Sequence, residues 1–541
     1  MGSSTASMTL DQQIGQLFMV GFQGHEPPRE MIDLIQRWHV GGVIFFSRNI
    51  RDAKQTLELT TRLQQLAREA GQPYPLLIAT DQENGMVRRL GPDATLFPGN
   101  MALGATGSEQ ITREVAEATG RELLALGINM NLAPDADVNN NPANPVIGVR
   151  SFGEDVALVA RLTAAAVRGY QSAGVVATLK HFPGHGDTST DSHQALPVIP
   201  YGMERLNALE LVPFKAGIAA GAESVMTAHL YLPELMPGEP LPATISPAIL
   251  KNLLRDQLGF AGVVISDCLE MSAISKTVGT AQGAVLALQA WVDLVLVSHR
   301  ADRQRASIEL VRAAVKKGEI SAERISQSVE RIIRLKQRRL SWEALPGANA
   351  LPSVGSAAHQ QLRDRAYALS TTLLRNEDKL IPLKITPQTR ILVLAPHKSA
   401  LSMAEDGSYP ETYLAERIQQ RHSQVTSLLF NPRRTTEETR RILQAVADSD
   451  VTILITMNAH RDEQQRSLLR QLLRTGKPMI GVSVATPYDL AEATELHTVL
   501  ATYEYTQPAL ESAVRVLFGE IPAQGRLPSA TTNRSFNNGT H

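Results

Sequence analysis

Residues 175–197 read VVATLKHFPGHGDTSTDSHQALP and contain the pattern on which the fold prediction rests. An apolar run ends at Lys180 and His181, and a loop rich in Pro, Gly and titratable side chains follows. The run has the length and the β-branched content of a buried strand. The segment therefore predicts a strand whose carboxyl end carries polar groups.

The same unit recurs from about residue 10 to residue 340, where short apolar runs alternate with longer amphipathic stretches. Seven further runs read LFMVGF, GGVIFF, PLLIAT, INMNLA, SVMTAH, GVVISD and DLVLV. Such alternation is typical of repeated β-α units and a parallel sheet. Eight units predict a (β/α)8 TIM barrel, in which catalytic groups lie where the strands end.

Polar side chains stand at the ends of five of these runs: Asp81, Asn131, Lys180 with His181, His229 and Asp267. Each of them alone is explained equally well as a helix cap or a loop residue. Because the carboxyl ends of barrel strands meet at one rim, five together predict a functional site there.

A stretch rich in Pro, Gly and Ala at residues 341–358 breaks the alternation and predicts a linker after a catalytic barrel at residues 8–340. Beyond it the runs ILVLA, VTSLLF, VTILITM, MIGVSVA and TVLATYE predict a smaller α/β sandwich domain at residues 359–530, with a doubly wound, mostly parallel sheet. Its sequence contains no Gly-rich phosphate loop, so nucleotide binding is not supported. Residues 531–541 form a polar tail.

The composition argues against nucleic acid and membrane partners. Lys plus Arg (53) nearly balances Asp plus Glu (54), so no net field favours polyanions. The N-terminus lacks a signal-peptide pattern, and no run reaches the roughly 20 apolar residues of a membrane span. The single cysteine, Cys268, fits a reducing compartment. We therefore expect a cytoplasmic protein that does not enter a membrane.

The loop after Lys180 allows a metal-binding interpretation. His181 and His185 have HxxxH spacing, and acidic side chains follow them. Pro183 and Gly184 lie between the two histidines and oppose the helix that would place both imidazoles on one face. A metal site is thus the weaker of two interpretations.

The other interpretation uses Asp191 and His193. In an extended segment residues i and i+2 point the same way, so the carboxylate can orient the imidazole and stabilise its charged form. Such a pair can donate and accept protons near neutral pH. A capped turn explains the same residues equally well.

Asp267, in ISDCLEM, supplies a carboxylate at a predicted strand end. Cleavage of a glycoside with retention of configuration needs a nucleophilic carboxylate and a separate acid/base group, about 5 to 5.5 Å apart. Asp267 is the candidate nucleophile, and the helix N-cap is the alternative. Cys268 beside it is interpreted as a packed small residue, since no base for it is evident.

Four segments resemble glycoside hydrolase family 3, and specifically its β-N-acetylglucosaminidase branch. They read KHFPGHGDTSTDSHQALP, GINMNLAPDADVNNNPANPVIGVRSFGED, VMTAHLYLPEL followed by PATIS, and GVVISDCLEM. The resemblance is strong over residues 8–340 and looser to about residue 530.

The resemblance implies a retaining exo-β-N-acetylglucosaminidase that acts through a covalent glycosyl-enzyme, on muropeptide or chitin fragments, without metal or cofactor. Asp267 would be the nucleophile, and Asp191 with His193 the acid/base dyad. The substrate-binding residues would be Asp81, Arg150, Lys180, His181, His229 and Met271. The same residues would also allow phosphorolysis to a sugar 1-phosphate, which we rank second.

Three features depart from the family pattern or stand outside it. The usual DQEGGRV appears as DQENGMV, with Asn84 and Met86 in place of glycine and arginine, and we expect an altered loop there. Trp291 and Val292 replace small residues before the eighth strand, and we expect their bulk to change packing near the rim.

In the second domain, AEDGSYPET could reach the site through Asp406, Tyr409 or Glu411, although a polar surface loop explains it better.

Two rival functions remain open on the sequence alone. One is a metal-dependent amide or ester hydrolase that uses His181, His185 and His229. The other is a non-catalytic sugar-binding protein, against which the presence of Asp267, Asp191 and His193 argues.

Overall fold

The computed structural model describes residues 8–192, 195–397, 405, 410–431, 433–490 and 493–528. The first unit contains eight strands: β1 (Phe18–Val20), β2 (Gly42–Phe45), β3 (Leu77–Thr80), β4 (Met130–Asn131), β5 (Val176–Phe182), β6 (Ser224–Thr227), β7 (Val263–Ile265) and β8 (Val295–Val297). They pair in parallel in the order β7-β6-β5-β4-β3-β2-β1-β8. A parallel bridge between Ile265 and Leu294 joins the two ends of this sheet. The predicted (β/α)8 barrel is confirmed.

Helices follow the strands and cover the barrel. They span Leu10–Gln16, Arg29–Gln36, Ala53–Glu69, Asn100–Thr106, Glu109–Ala125, Val156–Ala173, Met203–Ala208, Leu211–Ala219, Ala248–Gln257, Ser272–Ser275, Thr280–Gln289, Ala301–Lys316 and Ala322–Arg339, with short 3-10 turns at Ser47–Asn49, Gly148–Arg150 and Ala243–Ile245. Side-chain caps set several of their starts, as where Asp155 accepts from the Leu158 amide and Ser321 from the Arg324 amide. The strand residues are buried, because helices cover one face and the barrel interior the other.

Trp291 lies at the amino ends of the strands, because it precedes β8. Its ring packs 4.8 Å from the Arg324 guanidinium and 5.4 Å from the Lys251 ammonium. The expectation that Trp291 and Val292 change packing near the functional rim is therefore wrong. The rim lies at the opposite end of the strands.

The second unit contains six strands: β9 (Thr372–Asn376), β10 (Ile391–Pro396), β11 (Val425–Phe430), β12 (Val451–Thr456), β13 (Met479–Ser483) and β14 (Thr498–Ala501). Their order is β11-β10-β12-β13-β14-β9, and all pairs are parallel except β14 with β9. Its helices span Ala357–Ser370, Tyr413–Gln419, Thr436–Asp448, Glu463–Leu473 and Gln507–Leu517, with 3-10 turns at Ala459–Arg461 and Pro487–Leu490. The predicted α/β domain is confirmed, and the antiparallel edge strand β9 adds to it.

The chain joins the two units twice. Short helices at Trp342–Ala344 and Ala348–Ser353 lead from the barrel into the second unit. After the last helix the chain returns to the barrel, where the Arg526 amide donates to the Ala105 carbonyl (2.8 Å) and the Glu154 amide to the Pro528 carbonyl (2.9 Å). The predicted polar tail at residues 531–541 lies outside the described residues.

Within the described part of the chain, no helix combines the length and the apolar character needed to cross a bilayer.

Candidate active site

A cavity of about 380 Å³ opens at the carboxyl ends of the barrel strands. Six of the predicted site residues line it: Asp81, Arg150, Lys180, His181, Asp267 and Met271. They lie at the carboxyl end of β5 or in the segments that follow β3, β4 and β7, because parallel strands deliver their ends to one rim.

Glu83 lies at the centre of the charged wall of this cavity and was missed by the sequence analysis. The Arg150 guanidinium donates to both of its carboxylate oxygens, Nε to Oε2 at 2.9 Å and Nη2 to Oε1 at 2.8 Å. The Lys180 ammonium lies 2.6 Å from Oε1 of Glu83 and donates to Oδ1 of Asp81 at 2.8 Å. Glu83 stands two residues after Asp81, and that spacing is the signal that could have indicated a shared face.

The charges in this wall stabilise one another. Burial raises the pKa of Glu83, but the positive charges of Arg150 and Lys180 outweigh it and hold the pKa well below its usual range. Burial lowers the pKa of Lys180, and the carboxylates of Asp81 and Glu83 more than offset this, so that the pKa is raised. Glu83 and Lys180 are therefore both charged at neutral pH, and the contacts between them fix their positions.

Behind this wall, two aspartates of the loop after β4 hold His181. Oδ2 of Asp137 lies 2.8 Å from Nδ1 of His181, and Oδ1 accepts from the His185 amide at 2.6 Å. Asp135 is buried next to Asp137, and burial followed by the Asp137 charge raises its pKa well above the usual value. Neither aspartate was singled out from the sequence, although the strand end APDAD carries both.

Asp267 follows β7 and is partly exposed to the cavity. Its Oδ1 accepts from the Cys268 amide at 2.7 Å. Cys268 itself is buried, and its Sγ lies 2.8 Å from Oγ of Ser298. Burial raises the pKa of this thiol to about 12, so the thiol stays protonated at neutral pH.

The loop after β5 brings His185 and Ser192 to the cavity. Burial, then the neighbouring His181 charge, lowers the pKa of His185 to about 4, so this ring is neutral at physiological pH. Its Nδ1 lies 2.7 Å from Oγ1 of Thr188. Asp191 is buried next to Ser192 in the chain, while its predicted partner His193 lies outside the described residues.

His229 does not line the cavity, in contrast to the expectation. It is fully buried, with Nδ1 2.8 Å from Oγ1 of Thr244 and Nε2 3.0 Å from the carbonyl oxygen of Cys268. Nε2 thus contacts the residue that follows Asp267, while Nδ1 contacts the 3-10 turn Ala243–Ile245. This geometry also removes His229 from the rival metal set with His181 and His185.

A possible metal-ligand group among the described residues is Asp135, Asp137 and His181. Asp137 is already bonded to the His181 ring, and Asp135 lies 3.9 Å from the Arg150 guanidinium. A divalent cation would have to replace these contacts next to a fixed positive charge. The group is better explained as a support for His181.

The DQENGMV departure fits the observed backbone. Asn84 has φ +71°, a left-handed conformation that asparagine tolerates better than most residues. Its side-chain Nδ2 donates to Oγ1 of Thr119 at 3.0 Å. Met86 is buried and belongs to the apolar cluster of the second domain, with Val484 and Tyr505. Met86, which stands where the family pattern has arginine, thus packs the barrel against the second domain. Asp81 still lines the cavity.

The AEDGSYPET segment adds no described residue to the cavity lining. Asp406 and Tyr409 lie outside the described residues. Glu411 lies 3.3 Å from Nδ1 of His397, and both side chains are partly exposed.

A cavity at the carboxyl ends of a (β/α)8 barrel, with the partly exposed carboxylates of Asp81 and Asp267 among buried charged groups, is typical of a barrel enzyme for a small polar substrate. Residues 9–335 match the Glycosyl hydrolase family 3 N terminal domain, and residues 371–538 match the corresponding C-terminal domain. The chain belongs to glycoside hydrolase family 3 and is a glycoside hydrolase.

Relatives match over nearly the whole chain. Beta-hexosaminidase A of Pseudoalteromonas piscicida is 32% identical over 96% of this chain and 97% of its own. A Beta-N-acetylglucosaminidase/beta-glucosidase of Cellulomonas fimi is 30% identical over 97% and 94%. The structure of a family 3 β-N-acetylglucosaminidase from Paenibacillus sp. str. FPU-7 is 42% identical, covers 97% of this chain and 99% of that one, and has a TM-score of 0.90.

Proposed function

We propose that this protein is an exo-acting β-N-acetylglucosaminidase that removes non-reducing terminal β-linked N-acetylglucosamine with retention of configuration. The observation that carries the proposal is that Asp267 lines the same cavity as the charged side chains of Asp81, Arg150 and Lys180. Its volume of about 380 Å³ suits one terminal sugar. The identity of the sugar is supported by two relatives that are named β-N-acetylglucosaminidases, while a third is named a beta-hexosaminidase.

In the proposed reaction Asp267 attacks the anomeric carbon and forms a covalent glycosyl-enzyme. The dyad of Asp191 and His193 protonates the leaving oxygen and then deprotonates the incoming water. Support for His193 comes from its motif and from its neighbour Ser192, which lines the cavity.

Asp81, Arg150, Lys180 and His181 would hold the hydroxyl groups of the sugar by charge-assisted hydrogen bonds. Met271 would pack against its apolar face. No metal or organic cofactor takes part in this proposal.

We propose muropeptide or chitin fragments as the substrates and the cytoplasm as the compartment. The compartment rests on the lone Cys268, which leaves the fold independent of disulfides. The two substrate classes are distinguished by comparing the rate at which the enzyme cleaves chitobiose with the rate at which it cleaves a disaccharide that ends in N-acetylmuramic acid.

Turnover of a chromogenic β-N-acetylglucosaminide tests the proposal. The Asp267→Ala variant should have no detectable activity, and the His193→Ala variant should lose most activity on poor leaving groups but less on activated ones. Asp256→Ala, an exposed carboxylate on a barrel helix, serves as the matched control. Equal activity in all four proteins would contradict the mechanism.

Three further measurements refine the test. Mass analysis after treatment with a slow fluorinated substrate should find the sugar attached to the peptide that contains Asp267. The product released first should have the β-configuration by NMR. Repeating the assay with inorganic phosphate tests the second-ranked function, since phosphorolysis would yield a sugar 1-phosphate.

A further inference from the structure

The second domain contacts the β4 loop of the barrel, which we define as residues 132–155. Nδ2 of Asn139 in this loop donates to Oη of Tyr488 at 2.8 Å, and Oδ1 of the same side chain accepts from the Gly148 amide at 3.0 Å. Burial, followed by the charge of Glu154, raises the pKa of Tyr488 well above its usual value, so the hydroxyl stays protonated. Asn139 therefore connects Tyr488 to the turn that presents Arg150.

His460 makes a second connection. Its Nε2 lies 3.1 Å from the carbonyl oxygen of Pro142, and its Nδ1 lies 2.9 Å from Oδ1 of Asp489, which is buried. The ring also packs edge-on against Tyr488, with centroids 5.4 Å apart. The imidazole is thus held from two sides and fixes the position of Pro142.

A third connection reaches the loop after β5. Nη1 of Arg461 donates to the Asn144 carbonyl at 3.2 Å. Nδ2 of Asn144 donates in turn to the carbonyl oxygens of His185 and Gly186, both at 2.9 Å. A Cβ at Gly186 would lie only 1.7 Å from the Val138 carbonyl oxygen, so the two loops touch through their backbones. Displacement of the β4 loop must therefore displace the loop after β5.

We propose that three side chains of the second domain are positioning residues for the catalytic cavity: His460, Arg461 and Tyr488. None of them lines the cavity. They act through the β4 loop, which presents Arg150, and through the loop after β5, which carries Asp191. The inference rests on the proposed function and adds that the second domain aligns the acid/base group.

The test compares His460→Ala, Tyr488→Phe and the double variant with His497→Ala. His497 is the matched control, because it lies in the same domain in an exposed pair with Asp378 at 3.2 Å. The readouts are kcat/KM for a poor leaving group and for an activated one, and hydrogen exchange of the β4 loop.

For the double variant we expect kcat/KM on the poor leaving group to fall roughly 10- to 100-fold, because small displacements of catalytic groups are costly. On the activated substrate, which needs little protonation, the loss should be several-fold smaller. Exchange of residues 138–150 should become faster. His497→Ala should match the wild type in each readout.

Unchanged exchange in residues 138–150 would overturn the inference. Equal losses on the two substrates would overturn the alignment of the acid/base group, since displacement of Arg150 alone affects both substrates alike. If the wild type cleaves no N-acetylglucosaminide at all, the proposed function fails. The exchange measurement still decides then whether the second domain holds the β4 loop.

Discussion

Oε1 of Glu83 lies 2.6 Å from Nζ of Lys180, in the wall of the catalytic cavity and almost out of contact with water. Both side chains are at most 3% exposed. A buried charge that loses its partner is strongly destabilising, so each of these groups depends on the other. The relationship makes Glu83 a part of the site although it is no candidate for attack on the sugar.

Replacement of Glu83 by Gln should therefore impair both stability and activity. Arg150 and Lys180 would keep a neutral partner of the same shape, and the free energy of unfolding should fall by about 3 kcal/mol. Because the pKa of Glu83 is lowered, its stabilisation is present above the ordinary glutamate pKa and is lost as pH falls through the lowered value. Urea unfolding at neutral and acidic pH measures this. Glu58→Gln, an exposed residue, should change the value by less than about 0.5 kcal/mol.

Cys268 should be inert towards alkylation in the folded enzyme. Burial raises the pKa of its thiol to about 12, so almost no thiolate is present at pH 8. Iodoacetamide should leave the native protein unmodified and should modify it in urea, as followed by mass spectrometry. Rapid alkylation of the native protein, with loss of activity, would mean that the strand end opens to solvent.

Lys336→Met should stabilise the protein at neutral pH. Burial lowers the pKa of Lys336 to about 7, and its ammonium has one hydrogen-bond contact to Gln16, at 2.9 Å. Between this pKa and the ordinary lysine value the unfolded chain binds more protons than the folded one, so wild-type stability rises with pH there. The variant should lose this rise and gain roughly 2 kcal/mol at pH 7, after the lost hydrogen bond is subtracted. The exposed Lys316→Met is the control, and an unchanged slope of stability against pH would contradict the argument.

Met86→Arg should weaken the attachment of the second domain. The side chain is 6% exposed in an apolar cluster, so arginine at this position would bring a charge into apolar surroundings. We expect a loss of about 3 to 5 kcal/mol in the free energy of unfolding. Thermal unfolding followed by calorimetry measures it. Leu241→Arg, at a site that is 37% exposed, should have little effect, and an equal effect of the two would argue against the buried contact.

The barrel was predictable because each β-α unit repeats the same apolar period and ends in polar residues. Each of the eight predicted runs coincides with a strand of the barrel, and β5 extends beyond its run to Phe182. β9 was missed because it is an edge strand: only its first residue is fully buried, and its sequence, TLLRN, continues a helix without a turn signal. Its pairing with β14 depends on a segment more than 120 residues away along the chain.

The site was only partly predictable. Strand ends and motifs indicated Asp81, Lys180 and Asp267, which share the cavity. Glu83 was missed because its role depends on Arg150, whose position is set by a long loop. His229 follows the end of β6, but its side chain contacts the segment after the neighbouring strand β7 and does not line the cavity. The alternation of side chains along a strand decides whether a residue faces the cavity. An apolar run of a few residues does not reveal which of its residues do so.

The return of the chain to the barrel near Pro528 means that the second domain is tied down at both of its ends. A domain that is joined by one flexible link can rotate away from its neighbour, whereas two attachments restrict that rotation. We therefore expect sugar to enter and leave through the mouth of the cavity without rotation of the second domain away from the barrel. Rate-limiting motion, if present, is expected in individual loops of the rim.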